Sequence, residues 1–229
     1  MSLITRLFRL DRPRSQVAQP EIAMARGEYT AWFQDKEFSS DWTSPHFPVW
    51  AGLLAVMKDL PVKVLEIGSY EGFSALFFLN FLPRSSIVCI DAWNMRRPEP
   101  AVVKLVPSIA EQFPLAEGRF DRNLRAFADR LTKINAFSAD AVAELGIKAA
   151  LFDFIYVDGS HRRLDAYRDC TLAWPLLNSG GIMLMDDYEF GLRLPDELKP
   201  KQGIDAFLAN ISGQHNELHR AYQIAIRKH

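Results

Sequence analysis

Short apolar runs alternate with longer amphipathic stretches along most of the chain. "VKVLEIG" (62–68), "SIVCIDAW" (86–93), "KINAFSAD" (133–140), "FDFIYVD" (152–158) and "GIMLMDD" (181–187) are β-rich and predict strands. Between them, "GFSALFFLNFL" reads as a helix. So does "DRNLRAFADRL" (121–131), which sets Leu124, Phe127 and Leu131 on one face. "LDAYRDCTLAWPLL" places Ala166, Cys170, Ala173, Trp174 and Leu177 at helical spacing. Residues 28–60 also look helical, with Pro45 and Pro48 punctuating the start and Trp50, Leu53, Leu54 and Met57 forming one face. The tail "HRAYQIAIRK" predicts one closing strand. Strands that are apolar nearly throughout, alternating with helices, imply an α/β fold whose mostly parallel sheet is covered on both faces.

The length of 229 residues suits one such core, and no repeat or low-complexity tract interrupts it. Residues 1–44 are assigned to an N-terminal leader and helical extension, and 45–229 to the α/β domain. Within the leader, Arg6, Arg9, Arg12 and Arg14 alternate with Leu3, Leu7 and Leu10. Such a segment could lie on an anionic membrane, but a packed or frayed leader helix is the favoured expectation. Lys plus Arg number 27 against 28 for Asp plus Glu, a balance that argues against broad capture of nucleic acid. The longest apolar stretch, "ALFFLNFL", is too short for a transmembrane segment. Cys89 and Cys170 have neither metal-site nor disulfide-framework spacing, so a reducing, cytoplasmic setting is expected.

The candidate chemistry begins where the first strand ends. Sheets of this kind bind ligands beyond the carboxyl ends of their strands. Here that end delivers "EIGSYEG", in which Gly68 and Gly72 permit a tight turn and close backbone approach. Asp91 closes the second strand 19 residues after Gly72, placed to accept hydrogen bonds from a ribose diol. A nicotinamide dinucleotide site would require G-x-G-x-x-G, and Ser69 and Tyr70 stand where its second glycine belongs. Glu66 and Glu71 make the loop acidic, which suits a ligand with a cationic centre better than a diphosphate.

Taken in order, "VLEIGSYEGFSA", "IVCIDAW", "FDRNL", "FDFIYVDGSH" and "WPLLNSGGIMLMDDY" resemble the class I S-adenosylmethionine-dependent methyltransferases over roughly residues 45–229. The likeness is greatest to the branch of macrocin O-methyltransferase and its cephalosporin-pathway relatives. The resemblance implies a Rossmann-like fold and S-adenosylmethionine as cofactor. It also implies that Glu66, Gly68 and Gly72 line the methionine portion, that Asp91 holds the ribose, and that Ser69 and Ala92 belong to the cofactor site. Trp93 would cover the adenosine, Ser138 and Asp140 would approach the adenine, and Asp158 would border the cofactor. Alternatives for these residues are a strand-end carboxylate for Glu66, a core tryptophan for Trp93 and a helix N-cap for Asp140.

Asp158 ends one strand, and Asp186 and Asp187 end the next. Were the two strands parallel neighbours, these ends would lie about 4.8 Å apart. Such crowding raises carboxylate pKa values unless a hard cation such as Mg²⁺ relieves it. Solvated strand-end acids are the alternative. In the resembling branch Asp158, Asp186 and Asp187 match the metal positions, and His161 of "DGSH" matches the general base. A hydroxyl acceptor needs its proton removed, which a histidine can do. The branch has an aromatic residue two positions after this histidine, where Arg163 stands here, so acceptor preference does not carry over. His46 could reach the cleft mouth, though no spacing requires it. The expected activity is O-methylation of a small-molecule or sugar hydroxyl. Two alternatives remain: a nicotinamide-dependent oxidoreductase, and a relative that binds S-adenosylmethionine without catalysis. Homo-oligomerisation is left open.

Overall fold

The computed structural model describes residues 27–95, 97–98, 100–191 and 194–229. The basic leader expected over 1–27 lies outside the described residues except for Gly27. Seven strands form one sheet: β1 (Lys63–Ile67), β2 (Ser86–Asp91), β3 (Leu131–Asn135), β4 (Phe152–Val157), β5 (Leu177–Met185), β6 (His215–Arg220) and β7 (Ile224–Lys228). Their order is β3-β2-β1-β4-β5-β7-β6. The first five run parallel, while β7 is antiparallel to both β5 and β6. This is a doubly wound, Rossmann-like sheet, and its strand order reverses between β1 and β4.

The helices are α1 (Phe47–Leu54), α2 (Phe73–Phe81), α3 (Pro100–Leu105), α4 (Ile109–Gln112), α5 (Ala116–Leu124), α6 (Ser138–Ile147), α7 (Arg163–Ala173) and α8 (Lys201–Asn210). One face of the sheet packs Val64, Phe154, Tyr156 and Leu184 against α1, α2 and α5. The other packs Leu65, Ile155, Val157 and Met183 against α6, α7 and α8. Alternate residues of the central strands therefore enter opposite cores, which is why β1, β4 and the end of β5 read as nearly unbroken apolar runs. Helix α2 is apolar nearly all round because it lies between the sheet and an outer aromatic layer. Phe77 stacks on Phe47 at a centroid distance of 4.3 Å, and Phe78 stacks on Trp50 at 4.9 Å.

Three expected elements differ in the structure. The α-helix expected across 28–60 covers only Phe47–Leu54, flanked by 3₁₀ turns at Gly27–Phe33, Ser44–His46 and Ala55–Met57. Pro45 and Pro48 lack the N–H that a continuous helix would use. The helix expected over 121–131 ends at Leu124 with a 3₁₀ turn to Phe127, and Leu131 opens β3 because its backbone pairs with Ile87. That strand stops at Asn135, where β2 also ends at Asp91, and Ser138 begins α6. The tail forms two strands rather than one, a hairpin turning at 221–223. Cys89 and Cys170 are buried free thiols. Among the described residues, no helix is long and apolar enough to cross a membrane.

Candidate active site

A cavity of about 660 Å³ opens over the carboxyl ends of β1, β2, β4 and β5. Its floor is the loop after β1. Gly68 has φ +89°, and a Cβ there would lie 1.9 Å from the carbonyl oxygen of Asp158, so only glycine lets the β1 and β4 ends approach this closely. Gly72, at φ +79°, caps α2 and faces the Leu124 and Phe120 side chains rather than the cavity. Ser69, Asp91, Ala92 and Ser138 line the cavity along with Gly68.

Asp91 also organises the loop. Its Oδ2 accepts the Tyr70 N–H at 2.8 Å and its Oδ1 accepts the Trp93 N–H at 2.7 Å. Each oxygen keeps a further lone pair for a ligand hydroxyl. The Ser138 hydroxyl donates to Asp169 Oδ1 at 2.7 Å, and the neighbouring Phe137 ring is half exposed on the cavity wall.

Besides Gly72, three more residues expected on the cofactor lie away from the cavity. Glu66 is fully buried behind the loop, accepting the Ser74 hydroxyl at 2.5 Å and the Cys89 thiol at 3.3 Å. Burial raises its pKa to about 7 against the pull of these donors. Trp93 is a core residue: its indole N–H donates to the Tyr70 carbonyl at 2.8 Å and its ring meets Phe120 edge-on. Asp140 is an exposed residue in the first turn of α6 and does not line the cavity. The acidity of the loop is also absorbed internally, since Glu71 pairs with Arg119 at 2.7 Å and accepts the Ser39 N–H at 2.6 Å. Its charge is therefore balanced by protein and cannot be credited to ligand attraction.

Opposite the glycine loop stand Asp158, Asp186 and Asp187, brought together because β4 and β5 are parallel neighbours in register. Their carboxylates are half-buried and border the cavity. Burial, then the charges of Asp186 and Asp187, pushes Asp158 well above the usual carboxylate range. Burial and Asp187 likewise raise Asp186 to about 6. Asp187 falls below its ordinary value: burial opposes this, but the His161 ion pair and the Tyr222 hydroxyl outweigh it. His161 Nε2 lies 2.7 Å from Asp187 Oδ2, and the imidazole packs against Phe190 at 4.4 Å.

The cluster thus gathers three carboxylates around one His161–Asp187 pair, and oxygen-rich acidic surroundings of this kind match a hard divalent cation. Atoms of Asp158, His161 and Asp187 able to bind a metal all lie within 4.8 Å of one another. Asp186, expected as a third carboxylate ligand, lies outside that group and accepts the Tyr156 hydroxyl and the Asp187 N–H at 2.6 Å.

Two tyrosines complete the cluster. Tyr156 donates to Asp186 and stands 3.2 Å from Asp158 Oδ2. Its spacing two residues before Asp158 on one strand, which puts both on the same face, could have revealed it. Tyr222 donates to Asp187 Oδ1 at 2.6 Å, and no local pattern announces it. Burial and the carboxylates push both phenols upward, so both remain donors.

A doubly wound sheet with a glycine turn after β1, a carboxylate after β2 and an acidic cluster with a histidine after β4 and β5 defines the class of nucleoside-cofactor α/β proteins. Within that class, the family model of a methyltransferase domain matches residues 65–188, and the chain belongs to that family. The fold is similar to that of the MycE methyltransferase from the mycinamycin biosynthetic pathway, solved with Mg, SAH and mycinamycin VI. The two share 16% identity at a TM-score of 0.58, over 89% of this chain and 54% of MycE, so this chain spans about half of that protein. An O-methyltransferase from Bacillus cereus in complex with SAH aligns at 15% identity and a TM-score of 0.58, covering 91% of this chain and 90% of its own. Cofactor-bound Rv0187 from MTB aligns at 15% identity and a TM-score of 0.59, covering 92% and 90%. No curated protein shows significant sequence similarity to the chain.

Proposed function

We propose that this protein transfers the methyl group of S-adenosylmethionine to a hydroxyl of a small-molecule or sugar acceptor, with Mg²⁺ at the acidic cluster and His161 as general base. The observation carrying this reading is that the Gly68–Asp91 wall and the Asp158–His161–Asp187 cluster share one cavity. The MycE complex with Mg, SAH and mycinamycin VI is consistent with it.

When bound, S-adenosylmethionine supplies an electrophilic methyl group. The Gly68 backbone and Ser69 would border its methionine portion, the free lone pairs of Asp91 would take the ribose diol, and Phe137 and Ser138 would flank the adenine. Mg²⁺ at Asp158 and Asp187, with Asp186 adjoining, would lower the pKa of an acceptor hydroxyl. Once turned from Asp187, His161 Nε2 would accept the hydroxyl proton. Its side chain is 34% exposed, so it is open to an acceptor, and the adjacent Asp187 carboxylate would stabilise the imidazolium that forms. Much of the remaining work is alignment of acceptor oxygen with methyl, which a rigid cavity supplies by holding both partners.

Isothermal titration calorimetry with S-adenosylhomocysteine, NAD and NADP tests the cofactor. Binding of the first and silence from the other two is expected; heat from NAD or NADP alone would return the nicotinamide oxidoreductase alternative. A screen of hydroxylated acceptors for transfer of label from methyl-labelled S-adenosylmethionine tests the reaction and separates an enzyme from a binder.

A further inference from the structure

Asp187 has φ +58°, a left-handed conformation that Asp adopts more readily than most non-glycine residues, and its carboxylate is held by its neighbours. Two side chains hold this one, His161 on Oδ2 at 2.7 Å and Tyr222 on Oδ1 at 2.6 Å. The two anchors are not equivalent. In the proposed reaction His161 must turn its Nε2 to an acceptor, so it cannot be the constant support of Asp187. Tyr222 has no such duty.

The turn that carries Tyr222 is tied to the rest of the fold at several points. Its carbonyl accepts the Tyr188 N–H at 2.8 Å, directly beyond Asp187. The adjacent Gln223 side chain accepts the buried Trp50 indole N–H at 2.7 Å, tying the turn to α1. Ile224, next in sequence, pairs with Met185 at the end of β5. The phenol ring lies nearly parallel to His46, 13° between planes and 5.5 Å between centroids. His46 and Tyr222 both lie outside residues 65–188 matched by the family model. The segments flanking that core thus close the acidic cluster.

We propose that Tyr222 is a positioning residue: its hydroxyl fixes the Asp187 carboxylate in the orientation that binds the divalent cation, with His46 seating its ring. This rests on the Mg²⁺ reading above. Partners of this kind orient a metal-binding carboxylate and raise its affinity, and their loss typically costs about 10–100-fold in affinity.

The test is calorimetric titration of Mg²⁺ into the full-length protein, wild type against Tyr222→Phe, with Tyr222→Leu as a second variant. Tyr222→Phe keeps the ring and its stack on His46 and removes only the hydroxyl. About 10-fold weaker Mg²⁺ binding is expected, while S-adenosylhomocysteine affinity and the melting temperature in EDTA stay near wild type. Equal Mg²⁺ affinity in wild type and Tyr222→Phe overturns the proposal, and a loss confined to Tyr222→Leu assigns the residue to packing alone. Parallel loss of Mg²⁺ and S-adenosylhomocysteine binding in Tyr222→Phe also overturns it, as general damage. Absence of Mg²⁺ binding by the wild type sinks the metal reading itself, and this inference with it, which distinguishes the two failures.

Discussion

Glu66 offers a quantitative test of how the fold treats charge beneath the cofactor loop. It is fully buried, and burial displaces its pKa from 4.5 to about 7. A raised carboxylate pKa means that the folded state binds the proton more tightly than the unfolded chain does. The associated stability is fully present below the unfolded value and is lost as pH rises through the folded one. The displacement corresponds to roughly 3 kcal/mol in total. Most of it falls between pH 5 and pH 8, where the wild type should lose roughly 2–3 kcal/mol through this group. Glu66→Gln is nearly isosteric and does not titrate, and its carbonyl can still accept the Ser74 hydroxyl. At pH 5 the variant should be close to wild type or slightly weaker, because the Cys89 thiol loses its acceptor. By pH 8 it should have gained roughly 2–3 kcal/mol relative to wild type. Urea unfolding of both proteins in EDTA at pH 5, 6, 7 and 8 measures the difference, in which titration of groups uncoupled from Glu66 cancels. Parallel stability curves would mean that Glu66 ionises near its ordinary value in the folded protein, and the assignment of a neutral buried carboxyl would be wrong.

Gly68→Ala should destabilise by roughly 3 kcal/mol or more, combining left-handed strain with overlap against the Asp158 backbone. A loss below about 1 kcal/mol in urea unfolding would contradict the close approach of the β1 and β4 ends. Asp91→Asn should weaken S-adenosylhomocysteine binding about 10–100-fold, as expected for losing hydrogen bonds to a charged group, because its amide would also face the Tyr70 and Trp93 N–H groups; unchanged affinity by calorimetry removes Asp91 from the cofactor site. Saturating Mg²⁺ at about 100 times its Kd should stabilise the wild type by about 2.7 kcal/mol, and Asp187→Asn should abolish most of the resulting rise in melting temperature. If EDTA and Mg²⁺ give the same melting curve, the carboxylates are structural. With an accepted hydroxyl substrate, His161→Ala should lower single-turnover rates by about 10²–10⁴-fold and flatten the fall in rate at acid pH; near-wild-type rates would remove it as the base.

The sequence alone carried the alternation of buried strands with helices, because a strand covered on both faces leaves an unbroken apolar run and a helix leaves a 3.6-residue period. It also pointed to the cavity positions of Gly68, Asp91, Asp158 and Asp187, since each sits at or just beyond a strand end, where local chain direction already aims residues at one edge of the sheet, and to His161 in the loop after β4. Tyr156 was legible by the same logic, two residues before Asp158. Tertiary structure decided the rest. Whether Glu66 faces a ligand or a core depends on what packs against β1, and α2 with Cys89 encloses it. Trp93 went to the core because Phe120 and the Tyr70 carbonyl, both distant in sequence, were there to receive it. Tyr222 reaches Asp187 across 35 residues, and Gln223 meets Trp50 across 173. Such contacts leave no periodic trace, since they depend on a hairpin folding back along β5 rather than on any run of neighbouring residues.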